Sequence, residues 1–362
     1  MKLQYSRDRS FQKELQSRVD RHMAATGRPR HGGARIHAKT ALLLTWAVSS
    51  YWALLTLPTR WFEALPLAVS LGLAIAGIGF NVFHDGNHGS YSGSRKLNRL
   101  MGWALDLLGG SSYVWRWKHN VFHHSFPNVH GLDDDVDLGE LCRMSQDQPH
   151  RPYHRLQHIY MWPLYGLLAA KWHFIDDFVA VARGQIGDHP FPRPRGLDLA
   201  AFIGGKLAFF AWTFVLPSFF FSVPLVILFY FLVTGVQSVM MSAVFQLAHA
   251  NGESNWLTLE KTAGEVQTEW AIHQVETTVD FARGNRLLTW YTGGLNHQVE
   301  HHLFPTLSHL HLPAIAGIVQ EVCKEQGVTY NEHPTLWAAL LSHQRWLRSM
   351  GKPESSPIAK AA

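Results

Sequence analysis

Cysteine is the first scarcity in this 362-residue chain, where Cys142 and Cys323 stand alone. Two cysteines exclude a disulfide scaffold, a four-cysteine iron–sulfur site and any cysteine-rich zinc module. Charge is also scarce: 16% of residues carry it, below the usual quarter, and Lys+Arg 32 against Asp+Glu 27 leaves a net +5. No Rossmann or phosphate-loop glycine pattern occurs, and nothing repeats with a fixed period. Trp 14 and Phe 21, within 47% hydrophobic residues, exclude strong disorder. What the chain has in excess is histidine: 23, nearly as many as its acids.

The mean hydropathy of −0.06 is that of a soluble protein, but the apolar residues are segregated. Residues 1–40 hold ten Lys/Arg against three acids, with no signal-peptide core or cleavage site, and read as a retained basic segment. Ala41–Thr59 and Ala64–Phe83 are free of charge, as is everything between Lys206 and Glu253. A crossing needs roughly 20 apolar residues. The pattern therefore predicts two transmembrane hairpins, 41–58 with 64–83 and 199–217 with 224–247. An even number of spans puts both termini and residues 84–198 on one side, and the basic N-terminus makes that side cytoplasmic. Leu100–Trp115 and Ile159–Trp172 are too broken to cross and suit interfacial or re-entrant helices. Residues 346–362 read as a flexible tail.

Three histidine clusters lie just beyond these spans: His84-Asp-Gly-Asn-His88, His119-Asn-Val-Phe-His123-His124 and His297-Gln-Val-Glu-His301-His302. The last two share the pattern H-x3-H-H. Random placement of the histidines gives about 1.5 H-x3-H pairs but only about 0.1 such triplets, so the two triplets are the signal. Residues four apart share a helix face, and the adjacent histidine is turned by roughly 100° toward a second point. The ladder His150, His154, His158 has the same step, but Pro152 interrupts it. His249 closes the fourth span at the level of the clusters. Eight or more nitrogen ligands without thiolate favour iron, copper, nickel or zinc over calcium or magnesium. The surplus over four ligands points to two ions, and iron matches oxygen chemistry beside a membrane.

These residues resemble the membrane fatty acid desaturases, a di-iron family defined by three histidine boxes. Trp115-Arg-Trp-Lys-His119 through Asn128, with Asp133 and Asp135, is similar to the second box and its trailing acids. Glu269-Trp-Ala-Ile-His273-Gln and Gly293-Gly-Leu-Asn296 through Pro305 are similar to the approach to the third box and the box itself, in the front-end, linoleoyl-type branch. The resemblance covers about residues 40–345. It implies an all-α integral membrane protein, four transmembrane helices in two hairpins under a cytoplasmic helical cap holding two Fe ions. The implied ligands are His84, His88, His119, His123, His124, His249, His301 and His302. A ninth comes from Gln298 or His297: the branch points to Gln298, the internal match of the two triplets to His297. Asn128, Asp133 and Asp135 would fix imidazole tautomers from behind. His273, His309 and His311 fall in matching segments outside the boxes. Trp115, Trp117 and Trp290 are candidates for lining an acyl channel or for ordinary packing.

The reaction implied is O2-dependent desaturation of a long acyl chain carried on CoA, carrier protein or phospholipid. The same scaffold also suits hydroxylation, acetylenation or ketolation. Some relatives carry a fused cytochrome b5 domain with a His-Pro-Gly-Gly motif, absent here, so a separate ferredoxin, or cytochrome b5 with reductase, is expected as electron donor. Membrane lipid is the expected surroundings, and nothing suggests nucleic acid. A histidine-rich metal transporter is the rival from another class. It would place ligands along a pathway within the spans, whereas here they crowd the ends.

Overall fold

A computed structural model describes residues 3–57, 60–136, 138–258 and 265–353. The main helices are α1 (Ser10–Thr26), α2 (Gly33–Thr56), α3 (Phe62–His88), α4 (Gly196–Ser218), α5 (Val223–His249), α6 (Gln298–Leu303), α7 (Leu312–Glu325) and α8 (Leu336–Met350). Among the described residues, α3, α4 and α5 are long and apolar enough to cross a membrane. They coincide with three of the expected spans. The first expected span, 41–58, falls mostly on α2, a helix of 24 residues that ends at Thr56 and does not reach that apolarity; residue 58 lies outside the described residues.

Helix α3 is the centre of the bundle, packed between α2 and α5. Its most apolar window is 67% buried against 22% for α4, so α4 turns most of its apolar surface outward. Outward Leu42, Val48 and Trp52 on α2 and Leu199, Ile203 and Leu207 on α4 continue that apolar exterior. Gly72 lets α3 approach α5: a Cβ there would sit 2.6 Å from the Val233 carbonyl oxygen. Beyond Asp198 in its first turn, α4 carries one charge, Lys206. Lys206 is buried and turned inward to Asp177 at 2.8 Å and to the Gly109 carbonyl at 2.6 Å, which satisfies a charge on an apolar helix.

The remainder is built of shorter helices and two-residue strand pairs. In α1, Phe11, Leu15, Val19 and Met23 recur every four residues and bury one stripe against Ile315, Val319 and Val322 of α7. Much of the basic segment expected over 1–40 is helical: Lys13, Arg18 and Arg21 lie on α1 away from its buried stripe, and α2 already begins at Gly33. Within the tail expected over 346–362, Trp346, Leu347 and Met350 instead complete α8 and are buried beside Met161 and Tyr165. The rest of it, 354–362, lies outside the described residues. Parallel strand pairs join Val129 with Leu257 and Asp280 with Glu332. Leu100–Trp115 and Ile159–Trp172 form short helical pieces whose outward Leu107, Ile159 and Leu167 are apolar.

Candidate metal centre

The histidine clusters meet at a buried seam where the ends of α3 and α5 face the shorter helices. Helix α3 delivers His84 and His88, and a π-helical turn over Gly79–Phe83 precedes them. Gly86 between them is needed because a Cβ would lie 2.5 Å from the Gly102 backbone nitrogen of the helix Arg95–Gly102. His249 ends α5, and α6 contributes Gln298, His301 and His302.

The second cluster departs from the α-helical geometry expected of it. Arg116–His123 is wound as a π-helix, with the His124 amide donating to the His119 carbonyl five residues back at 3.0 Å. The wider turn places His124 beneath His119, so that their Nε2 atoms lie 3.2 Å apart. Such windings recur at functional sites.

Two groups of ligand atoms result, His84, His88, His119 and His301 in one and His123, His249 and His302 in the other, each within 4.8 Å of one another. His124 lies between them, its ring centroid 4.8 Å from His88 and 4.3 Å from His302. The Gln298 amide is 3.0 Å from His249 Nε2. His297 is elsewhere. It precedes α6 with a non-helical backbone, and its ring faces Asp280 and Glu300, Nδ1 lying 3.8 Å from each carboxylate.

The far nitrogens of several rings are held. His119 Nδ1 donates to Asp135 at 2.7 Å, His123 Nδ1 to Asp133 at 2.9 Å and His302 Nδ1 to the Gln274 side-chain oxygen at 2.8 Å. Asn128, expected behind an imidazole, reaches none. Its side chain donates to the backbone carbonyls of His249 at 2.9 Å and Asn255 at 3.2 Å, and its amide to Asp133 at 2.9 Å, because a left-handed φ of 56° turns it into the loop.

The near nitrogens His88 Nε2, His123 Nε2, His301 Nε2 and His302 Nε2 are buried without a hydrogen-bond partner. Each such atom costs about 1–3 kcal/mol if nothing satisfies it. Converging, oriented and free of carboxylate, they fit two imidazole-ligated first-row ions. Burial also pulls the His119 imidazole down to about 4, and His124, His301 and His302 well below their ordinary value, so these rings are neutral, as ligands must be. Burial works the same way on His123, but Asp133 beside it holds that ring above its ordinary value. Asp135 is also buried, yet Lys118 at 3.1 Å and His119 hold its carboxyl far below the usual range.

Three groups were not legible as parts of this site. Gln274 was seen only as a neighbour of His273. Asp85 accepts from His309 Nδ1 at 2.8 Å, and His309 Nε2 meets Lys39 Nζ at 3.0 Å, a buried chain running behind His84. No spacing rule connects residues so distant in sequence. His273 and His311 bond the Pro127 and Pro29 carbonyls, and His154 that of Glu140, so none of them reaches the seam.

A cavity of about 520 Å³ runs along the seam past His84, His119 and Gln298. Phe80, Phe83, Trp115, Met241, Phe245 and Leu295 line it there. Of the three tryptophans singled out, Trp115 alone lines it, stacked on His119 at 4.3 Å. Trp117 packs on Phe122 and Phe191, and Trp290 lies beneath Lys39. Toward the surface the cavity passes Leu141, Leu167, Phe174 and Ile175, all exposed apolar side chains.

The sequence model of the fatty acid desaturases matches residues 59–334. The chain is 35% identical to an sn-1 linoleoyl-lipid 6-desaturase of Synechocystis sp., over 97% of this chain and 98% of that protein. It is 36% identical to the protein of the same description from Arthrospira platensis, over 99% and 97% of the two chains. An acyl-lipid (8-3)-desaturase of Physcomitrium patens is 38% identical over 88% of this chain and 68% of its own length.

Proposed function

Since this chain belongs to the fatty acid desaturase family and is an oxidoreductase that desaturates fatty acyl chains, we propose that it works on acyl groups carried by membrane lipid rather than by CoA or a carrier protein. The observation that carries this reading is the mouth of the cavity. It opens between exposed apolar side chains that continue the outward face of the bundle. Its charges are already balanced, Lys118 on Asp135 and Lys171 on Asp176, each at 3.1 Å, with Asp134 nearby. A polyphosphate headgroup needs unpaired cations, which the described residues of this mouth do not offer. The relatives from Synechocystis, Arthrospira and Physcomitrium are likewise named for lipid-linked acyl groups, and two of those names support a double bond at carbon 6.

The metal reading is two iron ions, one at His84, His88, His119 and His301 and one at His123, His249 and His302, with His124 and Gln298 completing the set. Bound iron would supply the activation of O2, which with two electrons and two protons takes two hydrogens from adjacent methylenes and leaves water. The chain's own residues do the rest. Asp133, Asp135 and Gln274 hold the tautomers that present free nitrogens inward. Trp115 and Phe245 exclude water and align methylenes against the imidazoles, positioning worth several kcal/mol of barrier. Helices α2 to α5 are read as four spans, with the cap and both termini on the cytoplasmic side. Electrons come from a separate ferredoxin or cytochrome b5 system.

The test is expression with a competent electron donor in a host of known lipids, followed by mass spectrometry that locates double bonds on intact lipids and in the acyl-CoA pool. New unsaturation at carbon 6 of glycerolipids is expected. Product appearing first in acyl-CoA refutes the lipid-linked reading.

A further inference from the structure

We propose that Asp280, His297 and Glu300 form a separate divalent-cation site that pins the start of α6. Their ligand atoms lie within 4.8 Å of one another and apart from both histidine groups. All three residues are at most 2% exposed. Both ring nitrogens of His297 and Oε2 of Glu300 are buried without a hydrogen-bond partner. The separation of His297 Nδ1 from each carboxylate, 3.8 Å, is too long for a hydrogen bond. It suits donors sharing one ion, since three ligands at about 2.1 Å in a plane stand about 3.6 Å apart.

The surrounding groups leave the pocket short of positive charge. Tyr330 donates its single proton between Asp280 at 2.6 Å and Glu300 at 2.9 Å, so it satisfies one carboxylate at a time. Arg283 stands 4.0 Å from Asp280 and is already paired with Glu332. Asp280 Oδ1 accepts from the Val299 amide at 3.0 Å, while Oδ2, which accepts from Tyr330, faces His297. A divalent cation would neutralise the two buried carboxylates and satisfy the imidazole together. One nitrogen and two carboxylates select a borderline first-row ion such as Zn2+ or Mn2+ over Ca2+, which prefers six to eight oxygens. Such an ion would tie the strand carrying Asp280 to the first turn of α6. It would thereby position Gln298, His301 and His302 from the side away from the seam.

The probe is Zn2+ added to the iron-loaded full chain, with zinc and iron counted separately by mass spectrometry and melting followed in parallel. Wild type should hold about one zinc more than His297→Phe and Glu300→Gln at equal iron. Zn2+ should raise the wild-type melting temperature by a few degrees (roughly 2–4 °C per kcal/mol) and leave both variants unmoved. Equal zinc in wild type and the variants, or a melting temperature in wild type that Zn2+ does not move, overturns the site. If neither variant folds, wild type decides alone: saturable zinc uptake at constant iron supports the site, and its absence overturns it.

Discussion

Asp133→Asn tests the seam most sharply because it changes chemistry and almost no shape. Asp133 Oδ2 accepts from His123 Nδ1 and from the Asn128 amide, both at 2.9 Å, and Oδ1 accepts from the Asp135 amide at 3.1 Å. An amide has one oxygen to offer. If it stays on His123 and Asn128, the new NH2 confronts the Asp135 N–H, and a buried donor left without a partner costs about 1–3 kcal/mol. At roughly 2–4 °C per kcal/mol or less for a chain of this size, the melting temperature falls by no more than about ten degrees. The second effect is on iron. An imidazole that has lost its carboxylate binds metal about 10–100-fold more weakly. Iron affinity is read by titrating the metal-stripped, purified protein, with turnover on lipid as the companion assay. The two effects separate in a cycle with His123→Ala. On that background the change should still lower melting through the Asp135 amide, but should no longer weaken iron. Wild-type iron affinity in Asp133→Asn, or the same weakening with and without His123, refutes the proposed role of the carboxylate.

Lys206→Met should destabilise by about 3–5 kcal/mol because it leaves Asp177 buried and uncompensated, and Lys206→Met with Asp177→Leu should recover most of that loss in a melting assay. Gly72→Ala should cost about 1–3 kcal/mol by pushing α3 off the Val233 carbonyl, whereas Gly317→Ala, with nothing within 4 Å of the new methyl, should be neutral or slightly stabilising. His273 and His343 are buried, and burial holds both imidazoles at about 4, below their unfolded value of 6.5. Their contribution is therefore full above pH 6.5 and is lost as pH falls toward 4, by up to ~3 kcal/mol each. Denaturant midpoints between pH 7 and pH 4.5 should show this fall, and it should be smaller in His343→Gln.

Long-range organisation was legible wherever a single physical rule governs a contiguous stretch. Charge-free runs near 20 residues have few explanations, and α3, α4 and α5 begin and end within a few residues of the expected bounds. Helix α2 was harder to bound because Arg35 and Lys39 lie inside the helix, where the charge rule places the end of a basic segment. Lys39 is buried, engaged by His309 and lying over the Trp290 ring at 5.1 Å. The same rule hid α1, whose charges are its outer face and whose buried stripe of Phe11, Leu15, Val19 and Met23 shows only in a period of four.

At the seam the residue types were legible and the backbone was not. Spacing alone treats H-x3-H-H as one geometry used twice, yet the two copies are wound differently. In the second cluster the π-helix makes His119 and His124 near neighbours at 3.2 Å, a five-residue relation that four-residue reasoning passes over. In the third, His297 stands before the helix begins, so the four-residue step from His297 to His301 never shares a face. Identical spacing produced opposite outcomes because helix start and helix winding are decided by neighbours distant in sequence. Asp280 accepts the Val299 amide and fixes where α6 starts; Asp133 and Asp135 grip His123 and His119 and set how the second cluster presents its rings. The carboxylates around the seam thus do two jobs: they orient imidazoles, and they decide which histidines of each triplet face inward.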